Sequence, residues 1–161
     1  MNATPKSLII DEWIWHDLSG ENGEVKLEEA FKFLEFVYEK CDKIATIEDS
    51  KFEKKFFSFC ERSDLISRKI TNFYKTYIFY NSEKYVRVNE KDCQQISEDI
   101  SSKIKPDDQY LVKLYYKLQC PIITTDNPLL EILGNHQIQC EHRDNFLPNY
   151  IGEENRTRKN T

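Results

Sequence analysis

Two periodicities of apolar residues alternate along this 161-residue chain. Short apolar runs predict strands over 7–10, 43–47, 121–124 and 137–140, and an alternating segment predicts another over 85–88. Between these runs, apolar residues recur three or four positions apart, which is typical of a helix that buries one face. Strands that alternate with helices predict an α/β fold, here a three-layer α/β/α sandwich with a central, mainly parallel sheet.

The helical segments have recognisable beginnings and ends. Ser50 and Glu53 form an S-x-x-E capping box that begins one helix. The remaining helices are expected over 27–41, over 64–79, from Asn89 to about Lys103, over 108–119, and over 127–133 with an end at Gly134.

Length and composition favour one packed domain. The chain is 39% hydrophobic and 13% aromatic with only four Gly and five Pro, which excludes disorder over most of it. We expect a single domain over 1–150 and a flexible polar tail over 151–161. No apolar stretch approaches the roughly 20 residues of a membrane span, and the first residues lack the apolar centre of a signal peptide. A cytoplasmic protein with no membrane partner is therefore expected.

Charge is distributed unevenly along the chain. The net charge of −5 argues against a protein that coats nucleic acid by bulk attraction. Between Lys51 and Lys91, however, ten basic residues accompany five acidic ones. This basic middle is either a solvated helix surface or a surface that contacts phosphate groups.

Acidic residues follow the predicted strands. Asp11 comes directly after the strand at 7–10, and Asp126 follows the strand at 121–124. A helix that descends roughly 15 Å from Asp108 and a strand that climbs roughly 16 Å return the chain to the edge where that helix begins. Glu53 lies in the first turn after the second strand, so it is expected at the same edge. Four carboxylates are therefore predicted to converge there.

A cluster of four carboxylates has a chemical consequence. Such groups repel one another unless a divalent cation neutralises them, and their hard oxygen atoms suit Mg²⁺ or Mn²⁺. The sequence contains no G-x-S-x-G, P-loop or H-E-x-x-H motif that would indicate another reaction centre. A metal-dependent hydrolase is the resulting hypothesis.

The aspartates also have purely structural explanations. Asp11 and Asp126 fit the turns that follow strands. Either Asp107 or Asp108 fits a helix N-cap, a position where Asp is favoured by about 1 kcal/mol. One of these two can cap the helix while the other binds metal.

Two further sets of residues leave alternatives open. The capping box alone explains Glu53, in which case Glu48 or Asp49 would supply the fourth acid. Trp13 and Trp15, after the first strand, fit either a helix face buried on the core or a surface that stacks bases.

Four segments occur in an order that suggests a known family. They are Leu8-Ile9-Ile10-Asp11, Ile47-Glu48-Asp49-Ser50-Lys51-Phe52-Glu53, Asp108-Gln109-Tyr110-Leu111-Val112, and Ile122-Ile123-Thr124-Thr125-Asp126 with its T-x-D motif. Together they resemble the PIN domain family of metal-dependent nucleases, and the closing segment from Gln137 to Pro148 is similar to the family's ending. The likeness covers nearly the whole chain. The sequence departs from the pattern at Trp13, where many relatives have Asn, and at Tyr115 and Tyr116, where small residues are common.

The resemblance implies an endoribonuclease. Asp11, Asp108 and Asp126 would hold Mg²⁺ or Mn²⁺, which activates the water that attacks the RNA phosphodiester bond. Glu53 would complete the catalytic acids, with Thr124 and Asp107 in support. The RNA phosphates would be contacted by Lys54, Lys55 and Arg62.

The resemblance implies two biological settings for the enzyme, and two other functions are alternatives to it. The enzyme would be a toxin neutralised by an antitoxin protein, or an RNA-processing nuclease. Dimerisation is common in the family, and the aromatic stretch over 73–85 offers either a homodimer interface or part of the core. The main alternative is a catalytically inactive PIN-like module that binds protein or RNA. A phosphoacceptor receiver domain fits less well, because no Lys follows the fourth strand.

Overall fold

A computed structural model describes the backbone of residues 4–159 and the side chains of residues 4–152. Within that range there are five strands: β1 Ser7–Ile10, β2 Lys43–Ile47, β3 Tyr85–Val88, β4 Ile122–Thr124 and β5 Cys140–His142. The α-helices in the same range are α1 Trp13–Leu18, α2 Glu24–Glu39, α3 Lys51–Cys60, α4 Leu65–Tyr74, α5 Glu98–Ser101, α6 Gln109–Leu118, α7 Asn127–Asn135 and α8 Arg143–Lys159.

The strands form one parallel sheet in the order β3-β2-β1-β4-β5. Ile9 of β1 pairs with Ala45 of β2 on one side and with Ile122 of β4 on the other. β1 is thus the central strand, and its Ile9 is fully buried. Helices flank the sheet, which confirms the predicted α/β class and its three-layer α/β/α arrangement.

An aromatic cluster packs beneath the first helices. Trp15 of α1 is 3% exposed, and its ring lies 5.5 Å from that of Phe52, 5.1 Å from that of Phe56 and 4.9 Å from that of Tyr74. Trp13 is also buried and donates its indole N–H to the carbonyl of Ile123 at 2.9 Å. Both tryptophans therefore belong to the core, and the base-stacking alternative is wrong.

The predicted polar helix from Asn89 to about Lys103 is wrong. A 3₁₀ turn over Glu90–Asp92 and the short helix α5 occupy this segment instead. Asn89 caps only the 3₁₀ turn, where its Oδ1 accepts the backbone N–H of Lys91 at 3.0 Å. The segment has too few apolar residues to bury a continuous helical face, and a helix without tertiary packing is marginal.

The last strand is displaced from its predicted position at 137–140. Gln137 has a positive φ of 59°, and the backbone N–H of Ile138 bonds to the carbonyl of Leu133 at 3.0 Å. These residues therefore close the end of α7, and pairing with β4 begins only at Cys140. The C-terminal turn of a helix was mistaken for strand because Ile138 is apolar and buried.

The segment predicted as a single helix over 64–79 changes its geometry partway. Asp64 caps α4, with Oδ1 accepting the backbone N–H of Ser67 at 2.9 Å. From Lys75 to Phe79 the helix widens into a π-helix. The predicted helix is therefore confirmed over α4.

α8 is a helix that the sequence analysis did not predict, and Pro148, a residue that usually interrupts helices, lies inside it. Arg143, its first residue, is 2% exposed and donates to Asp17 at 2.9 Å and to Glu29 at 2.6 Å. These contacts hold the beginning of α8 against α1 and α2. The predicted tail over 151–161 lies mostly outside the residues whose side chains are described, so its flexibility stays a prediction. Over residues 4–159, no helix combines the length and apolar composition needed to cross a membrane.

Candidate active site

Asp11 lies at the carboxyl end of the central strand. Its backbone N–H donates to the carbonyl of Ile123 at 3.0 Å, so the residue is held against β4. Its side chain is nearly buried, at 7% exposure. Oδ1 accepts the backbone N–H of Glu12 at 2.7 Å, and Oδ2 accepts the hydroxyl of Thr124 at 2.8 Å. These bonds fix the orientation of the carboxylate.

Asp108 lies across from β1 at the beginning of α6. It closes the 3₁₀ turn Pro106–Asp108 and is 4% exposed. Its side chain makes no capping bond to α6. Instead, Oδ1 accepts the ammonium of Lys51 at 3.1 Å, across a sequence separation of 57 residues. The capping alternative for Asp108 is therefore wrong, and this buried carboxylate is directed at the site.

Glu12 is a third acidic residue at this position, and the sequence analysis did not single it out. Its Oε1 lies 3.0 Å from the ammonium of Lys51. Its Oε2 is buried and has no hydrogen-bond partner among the described residues. Glu12 follows Asp11 directly, so the polar pair at the end of the first apolar run was the only available signal. We refer to Asp11, Glu12 and Asp108 as the acid cluster.

Tyr110, a buried residue of α6, contacts the acid cluster at Asp11. Its hydroxyl lies 3.5 Å from Oδ1 of Asp11, at the outer limit of a hydrogen bond. Burial raises the pKa of Tyr110 well above its ordinary value, and the charges of Asp11, Asp108 and Glu12 raise it further. All three carboxylates therefore act on the same phenol group, which stays protonated and available as a donor.

Burial and charge also perturb the pKa values of the cluster itself. Burial raises the pKa of Asp11, and the nearby charge of Asp108 adds to this effect, while hydrogen bonds from Glu12 and Thr124 oppose it. Burial disfavours the charge on Lys51, but hydrogen bonds to Glu12 and Asp108 outweigh it and raise the pKa of Lys51. The lysine is therefore a permanent cation beside the carboxylates.

Asp126 reaches the same edge of the sheet, where it caps α7. Its Oδ1 accepts the backbone N–H of Leu129 at 3.0 Å. Its own backbone N–H donates to the hydroxyl oxygen of Thr124 at 3.2 Å, and that hydroxyl donates onward to Asp11. Thr124 thus joins Asp126 to Asp11. The structural role predicted for Asp126 in the turn after β4 is therefore confirmed for Oδ1, which caps α7.

Glu53 is not part of the acid cluster. It is fully buried, and its carboxylate accepts the guanidinium of Arg87 at 2.9 Å and the hydroxyl of Tyr85 at 2.8 Å. The backbone N–H of Asp49 also donates to it, at 3.0 Å. Every described contact of this carboxylate leads to β3 or to the turn before α3. The predicted convergence of Glu53 with Asp11 is therefore wrong, because Arg87 on the neighbouring strand binds it.

A cleft of about 540 Å³ opens beside the acid cluster. Its basic lining comes from Lys51, Lys54, Lys55 and Lys113. The predicted supporting residue Asp107 lines this cleft and is exposed. The cleft is also lined by Glu48 and Asp49, the alternatives to Glu53 as the fourth acid. Its further lining includes Ser50, Glu90, Gln109 and Tyr110. Two of the three predicted RNA-contacting residues, Lys54 and Lys55, therefore lie next to the candidate site.

Arg62 lies elsewhere, beyond the far end of α3. Its guanidinium donates to the hydroxyl of Ser67 at 2.9 Å and to the carbonyl of Ser19 at 3.2 Å. It also pairs with Asp64 at 3.4 Å. These contacts join the α3–α4 turn to the end of α1, so the structure does not bring Arg62 together with Lys54 and Lys55 at the cleft.

The acid cluster and Lys51 together carry a net negative charge. Three carboxylates and the single ammonium of Lys51 leave two negative charges when all the groups are ionised. Among the described side chains, no three His, Cys, Asp or Glu residues are already arranged as metal ligands. The ammonium of Lys51 binds two of the three carboxylates in this arrangement. The surplus of two charges and the unpartnered Oε2 of Glu12 nevertheless fit a divalent cation.

Comparisons with known proteins leave the geometry as the basis for assigning a function. No protein-family model matches this chain, and a search of curated proteins finds no match. The likeness to PIN domains therefore rests on the motifs of the sequence.

Proposed function

We propose that this protein is a divalent-metal-dependent endoribonuclease that acts through the acid cluster. The observation that carries the proposal is that three carboxylates lie together at the carboxyl edge of a parallel sheet beside a single ammonium group, which binds two of them. This edge is where ligands bind in open α/β folds. Burying carboxylates with surplus negative charge costs folding free energy, and such clusters are therefore found mainly at functional sites.

The donor set suits Mg²⁺ or Mn²⁺. Asp11, Glu12 and Asp108 would supply hard carboxylate oxygens, and the free oxygen of Asp126 lies on the same edge. A bound divalent ion would lower the pKa of water and neutralise charge on the phosphate oxygens. Asp126 thus stays within the proposed ligand set, whereas Glu53 is replaced by Glu12.

The neighbouring side chains have separate tasks in this proposal. Thr124 orients Asp11, and Tyr110 donates towards the same carboxylate. Lys54 and Lys55 in the cleft would contact the RNA backbone on either side of the reacting phosphate. The net charge of −5 favours capture of selected RNA at this cleft over general binding. A toxin held by an antitoxin and an RNA-processing enzyme would both use the site in this way.

The proposal is tested by RNA cleavage. A mixed pool of structured and single-stranded RNA is incubated with Mn²⁺, with Mg²⁺ or with EDTA. We expect metal-dependent cleavage that falls at least about 100-fold in Asp11→Asn and in Asp108→Asn. Asp99→Asn, which removes one exposed charge whose described ion pairs are with Lys103 and His136, is the matched control and is expected to cleave like the wild type.

A catalytically inactive binding module is the second candidate, and two observations favour it. Lys51 already neutralises part of the acid cluster, and the carboxylate of Glu53 is bound by Arg87, Tyr85 and the backbone N–H of Asp49. An inactive module would not need a cation. Absence of cleavage, together with an unchanged melting temperature on addition of Mn²⁺, would exclude the nuclease and leave this alternative, whose partner must then be sought directly.

A further inference from the structure

Lys51 connects the acid cluster to the cleft. It is the first residue of α3, and its ammonium lies 3.1 Å from Oδ1 of Asp108 and 3.0 Å from Oε1 of Glu12. The same side chain lines the cleft and is 27% exposed. One long, flexible side chain therefore touches both the candidate metal ligands and the space open to a polymer.

The backbone beneath Lys51 is held in place. Ser50 caps α3, with its hydroxyl oxygen accepting the backbone N–H of Glu53 at 3.5 Å and lying 3.0 Å from the hydroxyl of Thr46. Phe52, the next residue, is fully buried. A change in the position of the ammonium therefore requires only rotations of the lysine side chain, which has four rotatable carbon–carbon bonds.

A divalent cation and the ammonium of Lys51 need the same oxygen atoms. A cation bound by the acid cluster would draw on Glu12 and Asp108, the two residues that now bind Lys51. Two positive groups at one pair of carboxylates repel each other. The cleft offers the displaced ammonium a place beside Lys54 and Lys55, where a phosphate group would bind three lysines together.

We propose, on the basis of the nuclease function proposed above, that Lys51 is an exchangeable counter-ion: without metal it neutralises Glu12 and Asp108, and a divalent cation displaces it into the cleft, where it binds an RNA phosphate. Metal and RNA binding are then positively coupled through one side chain. By thermodynamic linkage, RNA strengthens metal binding by the same factor as metal strengthens RNA binding.

The first test measures Mn²⁺ binding without RNA by isothermal titration calorimetry. Removal of the competing ammonium in Lys51→Gln is expected to tighten Mn²⁺ binding about tenfold, whereas Lys51→Arg retains a competing cation and stays close to the wild type. Lys113→Gln removes the same charge from the same cleft, but Lys113 pairs with Glu90 and does not touch the acid cluster. This control is expected to leave Mn²⁺ affinity within about twofold of the wild type.

The second test measures RNA binding with a fluorescein-labelled phosphorothioate RNA oligonucleotide. Mn²⁺ is expected to strengthen binding by the wild type about tenfold and by Lys51→Gln less than about twofold. Lys113→Gln is expected to keep the full effect of Mn²⁺. Equal strengthening in the wild type and in Lys51→Gln would overturn the coupling.

A third measurement uses the unaltered protein and does not depend on the folding of a variant. Lysine acetylation followed by mass spectrometry reports how accessible each ammonium group is. Addition of Mn²⁺ without RNA is expected to raise the labelling rate of Lys51 severalfold and to leave that of Lys113 unchanged. An unchanged rate at Lys51, with Mn²⁺ shown to bind, would overturn the displacement.

The outcomes separate this inference from the proposed function. If the wild type binds Mn²⁺ and cleaves RNA but Lys51→Gln binds Mn²⁺ no more tightly, the counter-ion role fails and the nuclease stands. If only Lys51→Gln binds Mn²⁺, Lys51 is the counter-ion but does not exchange, and both the exchange and the nuclease fail. If neither protein binds Mn²⁺, both proposals fail.

Discussion

The hydroxyl of Thr124 donates a hydrogen bond of 2.8 Å to Oδ2 of Asp11 and joins the ends of two adjacent parallel strands. The same hydroxyl oxygen accepts the backbone N–H of Asp126 at 3.2 Å. One small side chain thereby positions two of the acidic residues that the sequence predicted for the site. The T-x-D motif has this physical basis, because Thr124 ends β4 and Asp126 begins the turn into α7.

Asp11→Asn is expected to stabilise the protein while it removes activity. Burial raises the folded-state pKa of Asp11 above that of the unfolded chain, so the ionised carboxylate opposes folding. This cost is absent below the unfolded-state pKa and grows as the pH rises through the folded-state pKa. At neutral pH in EDTA, the free energy of unfolding of the variant is expected to exceed that of the wild type by about 1 kcal/mol.

Urea unfolding across the acidic to neutral range measures this effect. The advantage of Asp11→Asn should shrink as the pH falls, because the wild-type carboxyl becomes protonated in both states. An advantage that is constant with pH would show that the charge of Asp11 is not its cause. Asp99→Asn, at an exposed position, serves as the control and should show no such trend.

Glu53→Gln is expected to affect folding and not cation binding. The substitution breaks a charged pair between fully buried Glu53 and Arg87, and it weakens the bond from Tyr85. We expect a loss of about 2 kcal/mol in the free energy of unfolding, with Mn²⁺ affinity unchanged. Glu48→Gln is the matched control, since Glu48 faces the same Arg87 at 3.5 Å from an exposed position. It should cost less than about 0.5 kcal/mol. Weaker Mn²⁺ binding in Glu53→Gln would return Glu53 to the metal site.

Two substitutions at Asp126 separate its capping role from a metal-binding role. Asn is as good an N-cap as Asp, so Asp126→Asn should keep the stability of α7, whereas Asp126→Ala should lose about 1 kcal/mol. If Asp126 also binds the cation, both variants lose metal-dependent cleavage of RNA. Thermal unfolding and the cleavage assay are compared on the same protein samples. Full activity in Asp126→Asn would limit this residue to the cap.

Arg143→Met is expected to destabilise the fold more than any substitution at the candidate site. Arg143 is 2% exposed, and its loss leaves the equally buried carboxylate of Asp17 without its cation. Removal of one partner from a buried ion pair costs about 3–5 kcal/mol. Urea unfolding of Arg143→Met is compared with that of Arg68→Met, an exposed position on α4, where a change below about 0.5 kcal/mol is expected. A similarly small effect at Arg143 would show that the network does not hold α8 in place.

Local patterns predicted the strands better than the short helices. β1 and β2 lie where their apolar runs predicted, because a buried parallel strand requires a continuous apolar run, and the edge strand β3 lies where the alternation over 85–88 predicted it. The segment after Asn89 was mistaken for a long helix, because its polar residues satisfy helix propensity without a face to bury. α8 was not predicted; it contains Pro148, which usually interrupts a helix, and it begins at the buried Arg143, which binds α1 and α2.

The sequence by itself determined the α/β alternation and the placement of Asp11 and Asp126 at one edge of the sheet, because periodicity and strand ends are local properties. Only the tertiary structure decided which charges meet. It pairs Glu53 with Arg87 of β3 and brings Lys51 into contact with Glu12 and Asp108. The physical reason is that the partner of a buried charge is set by which elements pack together, and no local pattern records this contact across the sequence separation of 57 residues from Lys51 to Asp108.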